Sequence, residues 1–239
     1  YEVRVTGAFH GSDGVVVEHT IIAKDDEVDF QLRAHNPGTK QSEAHWAQAC
    51  VRLADFTGFD PRGMNLDDYL PNCFIFHGGR LTRLSQVQPW AREARYTPGQ
   101  VWPAPDVPRA DVNQRPLSSV KTHNGLIGAF SKDEKLIFAT AWEPYQELFQ
   151  GVARCLHSDL RLGGLKPGET KRVRGKIYAV TNDVPALLAR YAKDFPEQMA
   201  RPAPSRETGR KASLRPVELY VGLTGADSNV GSIPLECRP

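Results

Sequence analysis

No stretch of this 239-residue chain approaches the roughly 20 consecutive apolar residues that a spanning helix requires, so no membrane span is expected. Charge of one sign is scarce too. Thirty Lys and Arg face 28 Asp and Glu, a net of only +2. Phosphate-backbone binding calls for a concentrated basic face, so no nucleic-acid partner is expected. The densest basic run, Lys171-Arg172-Val173-Arg174-Gly175-Lys176, alternates from Arg172 onward. Strand geometry puts those cations on one solvated face; a stripe for an anionic ligand is the other reading.

Paired cysteine motifs are missing. Cys50, Cys73, Cys155 and Cys237 form no C-x-x-C, which argues against a zinc ribbon or a thioredoxin-like site. Most lie in apolar, strand-like surroundings, where cysteine usually acts as a small buried hydrophobe; in an exported chain they allow disulfides of open pairing. G-x-S-x-G, P-loop, H-E-x-x-H and G-x-G-x-x-G patterns are also absent, which removes the usual serine hydrolases, nucleotide enzymes and zincins. No signal peptide precedes the strand-like Glu2-Val3-Arg4-Val5, an opening shared by a mature exported chain and a trimmed cytosolic one. The expected location is secreted or periplasmic.

What is present is alternation. Val28-Asp29-Phe30-Gln31-Leu32-Arg33-Ala34 places apolar and polar residues on opposite faces, and Asn36-Pro37-Gly38 stops the run. Cys73-Phe74-Ile75-Phe76 and Arg80-Leu81-Thr82-Arg83-Leu84 flank His77-Gly78-Gly79 as a hairpin. Residues 46–56 form a strand or two turns of helix. Prolines 89, 98, 103, 105, 108 and 116 break any regular element between 88 and 116, yet Trp90, Tyr96 and Trp102 suit a packed loop. Further strands are expected at 117–121, 126–131, 136–142, 152–162 and 170–180. Asn182 or Asp183 then caps an amphipathic helix carrying Leu187, Leu188, Tyr191 and Phe195. The fold class is therefore all-β, an antiparallel β-sandwich with one C-terminal α-helix. The sandwich spans 1–199, and 200–239 is a linker and extension with a strand at 217–223 that docks on the sheet.

The densest ionisable cluster runs from Trp142 to Arg161. Strand alternation places Cys155, His157, Asp159 and Arg161 on one face, either solvated or the floor of a polar cleft. The loop before it brings Glu143 and Glu147 near. Four readings fit. A glutamate and His157 act as base and acid on a sugar, with Asp159 tuning the histidine and Arg161 orienting the ligand. Or His157, Asp159 and Glu147 bind a divalent metal, with His45 as a fourth ligand. Or the aromatics hold a ligand without chemistry, or the face is an ordinary solvated one with an Asp159–Arg161 ion pair. Trp46 and Gln48 share a face, a ring-and-amide pairing suited to a sugar groove; a core tryptophan is the competing reading.

The stretch 162–195 resembles the closing section of galactose-mutarotase-like β-supersandwich proteins of carbohydrate metabolism. The resemblance lies in the Leu165-Lys166-Pro167-Gly168-Glu169 turn, the strand ending Lys176-Ile177-Tyr178, and the short closing helix. It covers about the C-terminal third and implies sugar binding on a concave sheet, with a histidine acid and a glutamate base. His157 and Glu143 or Glu147 would stand in for them.

The expected function is thus a carbohydrate-active β-sandwich protein without a required cofactor. Its catalytic candidates are His157, Glu147, Glu143 and Asp159. Arg161, Gln48 and the stacking walls Trp46, Trp102 and Trp142 bind substrate. A non-catalytic glycan- or partner-binding module and a metal protein are the alternatives.

Overall fold

The computed structural model describes residues 2–11, 13–53, 55–58, 69–87, 99–112, 117–151, 155–199 and 217–218. Trp90, Tyr96, Cys237 and the proline-bearing stretch 201–205 lie outside them. In chain order the first strands are β1 (Val3–His10), β2 (Val16–Ala23), β3 (Glu27–His35), β4 (Trp46–Gln48), β5 (Cys50–Arg52), β6 (Cys73–His77) and β7 (Arg80–Arg83). They are followed by β8 (Gly99–Pro103), β9 (Thr122–Phe130), β10 (Leu136–Glu143), β11 (Tyr145–Gly151), β12 (Cys155–Arg161), β13 (Thr170–Thr181) and β14 (Val217–Glu218). Helices α1 (Val184–Asp194) and α2 (Pro196–Met199) precede β14. None of the described helices is long and apolar enough to cross a membrane.

Eight strands form a large antiparallel sheet in the order β1-β2-β3-β13-β10-β9-β6-β7. A smaller sheet runs β14-β4-β12-β11-β8, with β5 also paired to β12. All its described pairings are antiparallel except the two-residue parallel contact of β14 with β4. The expected all-β sandwich is therefore present.

Alternation explains which side chains meet. Ile75, Ile127, Trp142 and Val173 from the large sheet pack against Trp102, Leu148, Leu156 and Leu160 from the small one, forming the core between the layers. The other face of the large sheet is also apolar at Phe74, Leu126, Ile137 and Tyr178, and α1 covers it with Leu187 and Tyr191, joined by Phe195 at its C-cap. Asp183 caps α1 by accepting from the Ala186 amide, with Pro185 in the first turn. The helix spans 11 residues rather than about 15, because Pro196 interrupts it.

Several local expectations change. Residues 117–121 form no strand, only a bridge from Leu117 to Val101, and the strand begins at Thr122. Residues 46–52 form two short strands, β4 and β5, broken at Ala49. The proline-rich stretch contains a regular element, β8: prolines 98 and 103 stand just before and at the end of an edge strand, where a missing N–H is tolerated. Glu147 lies in strand β11, not in a loop. The basic run on β13 is also only partly solvated. Arg172 is exposed, but Arg174 binds Glu197 of α2, and Lys176 is held by Glu27, Asp29 and Asp194. Those cations fasten the helices to the sheet.

Candidate functional site

The site is built on β12, whose residues face two ways. Leu156 and Leu160 enter the core, while Cys155, His157, Asp159 and Arg161 point away from it. Directly opposed residues of an antiparallel pair share a face, so the neighbouring strands extend this file. Glu147 stands opposite Asp159, and Phe149 opposite His157, on β11. Cys50 stands opposite His157 on β5, and Trp46 opposite Arg161 on β4. The pairing shifts register between Tyr145 and Glu147, and this bulge brings Gln146 to the same side as Glu147.

The outward file is not open. His157 is 3% exposed, and Asp159 and Glu147 are fully buried. Residues 104–112 cross over it like a strap. Val107 and Val112 pack on Val101 and Phe149, and the Phe149 ring lies 5.3 Å from the imidazole of His157. Polar contacts hold the strap as well. Arg161 donates to Gln146 Oε1 and to Asp111 Oδ2, each at 2.6 Å, and Gln146 Nε2 donates to the Asp111 carbonyl at 2.7 Å. His45 Nδ1 lies 3.3 Å from the same Asp111 carboxylate. A charge removed from water must be paired, and this network does so.

Both nitrogens of His157 have neighbours. Nε2 lies 3.0 Å from Cys155 Sγ, and Nδ1 lies 3.6 Å from Asp159 Oδ1. Burial alone would push the imidazole down. The Asp159 carboxylate and the Cys50 thiol beside it outweigh burial and raise it to about 9. Among the described residues, one group of metal-type ligand atoms lies within 4.8 Å of one another: Cys50, Cys155 and His157. Glu147 and His45 are not part of it, which differs from the His157/Asp159/Glu147 metal set with His45 expected from the sequence.

The structure thus brings together Glu147, His157, Asp159, Arg161 and Trp46, with Gln48 two residues along the same face of β4. It does not bring Glu143 there. On β10, Glu143 alternates with Trp142, which faces the inter-sheet core, and so lies on the helix-covered side of the large sheet. Trp102 and Trp142 are both in the core between the sheets, where neither can be a stacking wall. Sequence reasoning did not place Cys50 beside His157, or Asp111 and Gln146 beside Arg161. Alternation flags Cys155, but the approach of Cys50 depends on strand pairing over more than a hundred residues.

No family model matches the chain, and no curated protein matches it. Its fold is similar to solved galactose mutarotase-like and aldose 1-epimerase structures. The Slr1438 protein of Synechocystis sp. PCC 6803 is 10% identical with a TM-score of 0.39, over 76% of this chain and 61% of that one. An inferred aldose 1-epimerase from Escherichia coli K12 is 12% identical with a TM-score of 0.39, over 75% and 65%. A galactose mutarotase-like protein from Lactobacillus casei ATCC 334 is 10% identical with a TM-score of 0.36, over 74% and 69%. The chain therefore spans less than two thirds of the length of the first two. At such scores the likeness extends to neither ligand nor chemistry.

Proposed function

We propose that the chain acts on a carbohydrate at the outer face of the small sheet, by acid–base chemistry centred on Glu147 and His157. The observation that carries this reading is their juxtaposition with Asp159. A carboxylate, Glu147, and an imidazole with a second carboxylate 3.6 Å away, that of Asp159, lie on paired strands, out of bulk water. Glu147 is the base that takes a proton from a sugar hydroxyl or ring carbon. The imidazole–thiol group of His157 with Cys155 is the acid end, and Asp159 fixes the ring's orientation. The choice of a sugar follows the sequence resemblance of residues 162–195. Gln48 and Cys50, half-buried on β4 and β5, mark the side from which a ligand approaches. Trp46 is the one remaining aromatic wall of those expected.

The test is turnover. A panel of hexoses and their oligomers, followed by exchange NMR for anomer interconversion and by product analysis, should reveal one substrate class. Glu147→Gln should abolish its conversion with little change in melting temperature. Glu143→Gln, on the other sheet, should not. Equal effects of the two substitutions, or a chain that neither converts nor is stabilised by any glycan, would remove the proposal.

A further inference from the structure

We infer that Cys50, Cys155 and His157 form a binding site for a zinc-type transition-metal ion, with Asp159 as the group that orients its histidine. The inference deepens the proposed function by naming the electrophile of that site. Its use in catalysis rests on that reading; the binding does not.

The donor set comes first. Two sulfurs and an imidazole nitrogen suit a borderline-to-soft ion and not magnesium or calcium, which take oxygen. Placement comes second. The three donor atoms lie within 4.8 Å of one another although they come from two strands. Cys50 is opposite His157 in the β5–β12 pair, and Cys155 is two residues before it on the same face. A tetrahedral ion with sulfur at about 2.3 Å and nitrogen at about 2.0–2.1 Å separates those atoms by about 3.6 Å. The Cys155 Sγ to His157 Nε2 distance is 3.0 Å, so the pair need open by only a fraction of an ångström.

The histidine's other side is a separate observation. A metal-bound imidazole commonly donates its remaining N–H to a carboxylate, which sets the tautomer and the ring plane. Here Nε2 faces Cys155 Sγ at 3.0 Å, and Nδ1 faces Asp159 Oδ1 at 3.6 Å. The arrangement therefore has the inner donors of such a site, with a carboxylate placed within a few tenths of an ångström of the outer hydrogen bond. The three donors found among the described residues leave a fourth position for water or substrate, the pattern of catalytic rather than structural zinc. Cys50, half-buried on the short strand β5, gives the side of entry. An ion held there would take His157 and Cys155 out of the role of acid and would itself supply the electrophile in their place, while Glu147 keeps its role as base. Loading releases protons from the thiols.

The test uses the full reduced chain, stripped by a chelator and titrated with Co(II) and then Zn(II). Cobalt should give a strong thiolate charge-transfer band that saturates at a single equivalent and is bleached by zinc. Alkylation followed by mass spectrometry should show Cys50 and Cys155 shielded by zinc and released by chelator. Cys50→Ser and Cys155→Ser should abolish the band, and Cys73→Ala, deep in the core, should keep it. Asp159→Asn should weaken binding roughly 10- to 100-fold while leaving the band's shape. No charge-transfer band, or one that survives both serine variants, overturns the inference. So does a reduced chain that retains no metal. If the variants fail to fold, wild-type alkylation read at the half-buried Cys50 decides: equal reactivity there with and without zinc overturns the site. A metal-loaded chain inert toward every sugar sinks the proposed function alone. Sugar turnover that persists in the stripped chain sinks the metal's catalytic role alone.

Discussion

The indole of Trp142 on β10 stands against Gly175, its partner on β13, so closely that a Cβ there would lie 2.5 Å from the ring's Cδ2. The ring cannot retreat easily, because it belongs to the inter-sheet core and meets Phe30 at 5.3 Å between centroids. Gly175→Ala is therefore an overpacking change and should cost about 1–3 kcal/mol. Urea denaturation followed by tryptophan emission reads it. A variant as stable as the parent would mean that the two sheets can part locally to admit a methyl group.

Acid should weaken the molecule through Glu27. Lys24 Nζ lies 2.8 Å and Lys176 Nζ 3.1 Å from its carboxylate, and Arg190 binds it as well. Burial pulls this carboxyl up, but the contacts from Lys24, Arg190 and Lys176 outweigh burial and hold it at about 2. A depressed folded value means that the ionised form is favoured by folding. That stabilisation is complete above the ordinary value of 4.5 and is lost as pH falls toward 2. The melting temperature of the parent should fall through that window more steeply than that of Glu27→Gln. At neutral pH the substitution should cost about 1.5–3 kcal/mol, the worth of the charged contacts that a neutral amide gives up. Parallel pH curves for the two proteins would show that Glu27 does not carry the acid sensitivity.

The N-cap of α1 gives a simpler expectation. Asp183 Oδ1 accepts from the Ala186 amide at 2.9 Å, so Asp183→Ala leaves that donor to water and should cost about 1 kcal/mol. Asp183→Ser should recover most of it, since a hydroxyl accepts the same bond. Denaturant midpoints of the three proteins decide the point. A serine variant no better than alanine would show that the cap bond contributes little.

Alternation made much of this fold readable, because strands such as β3 and the β6–β7 hairpin bury one face and wet the other. It also put Cys155, His157, Asp159 and Arg161 in one file. What alternation cannot say is which face is outside, or what covers it. β10 is apolar on both faces, since one meets the small sheet and the other meets α1. Its tryptophan therefore carries no sign of direction, and Trp142 turned inward although a groove wall was expected. β11 was hidden for a related reason. The bulge at Gln146 places two polar residues in succession on one side, which erases the period of two. The strap over the file, and Asp111 within it, come from a proline-rich segment whose pattern does not reveal its destination. Cys50 reaches Cys155 only through pairing that no local pattern encodes.

That strap is where the candidate site should be most sensitive to one side chain. Arg161 spans Gln146 on β11 and Asp111 in the strap with two nitrogens of one planar group. A lysine ammonium is a point charge and cannot make both contacts at once. Arg161→Lys should therefore release one partner, and the charged hydrogen bond lost should cost about 1.5–3 kcal/mol. The loss should be local. Amide exchange should rise at Val107, Asp111 and Val112, whose N–H groups bond only within the strap, while the β10 and β13 amides stay slow. Because the strap packs on Phe149, whose ring meets the imidazole of His157, its loosening should also speed alkylation of Cys155 in the metal-free chain. Exchange that rises everywhere would make Arg161 a general structural residue. Exchange unchanged in the strap would leave Val107 and Val112, packed on Val101 and Phe149, as what keeps the file covered.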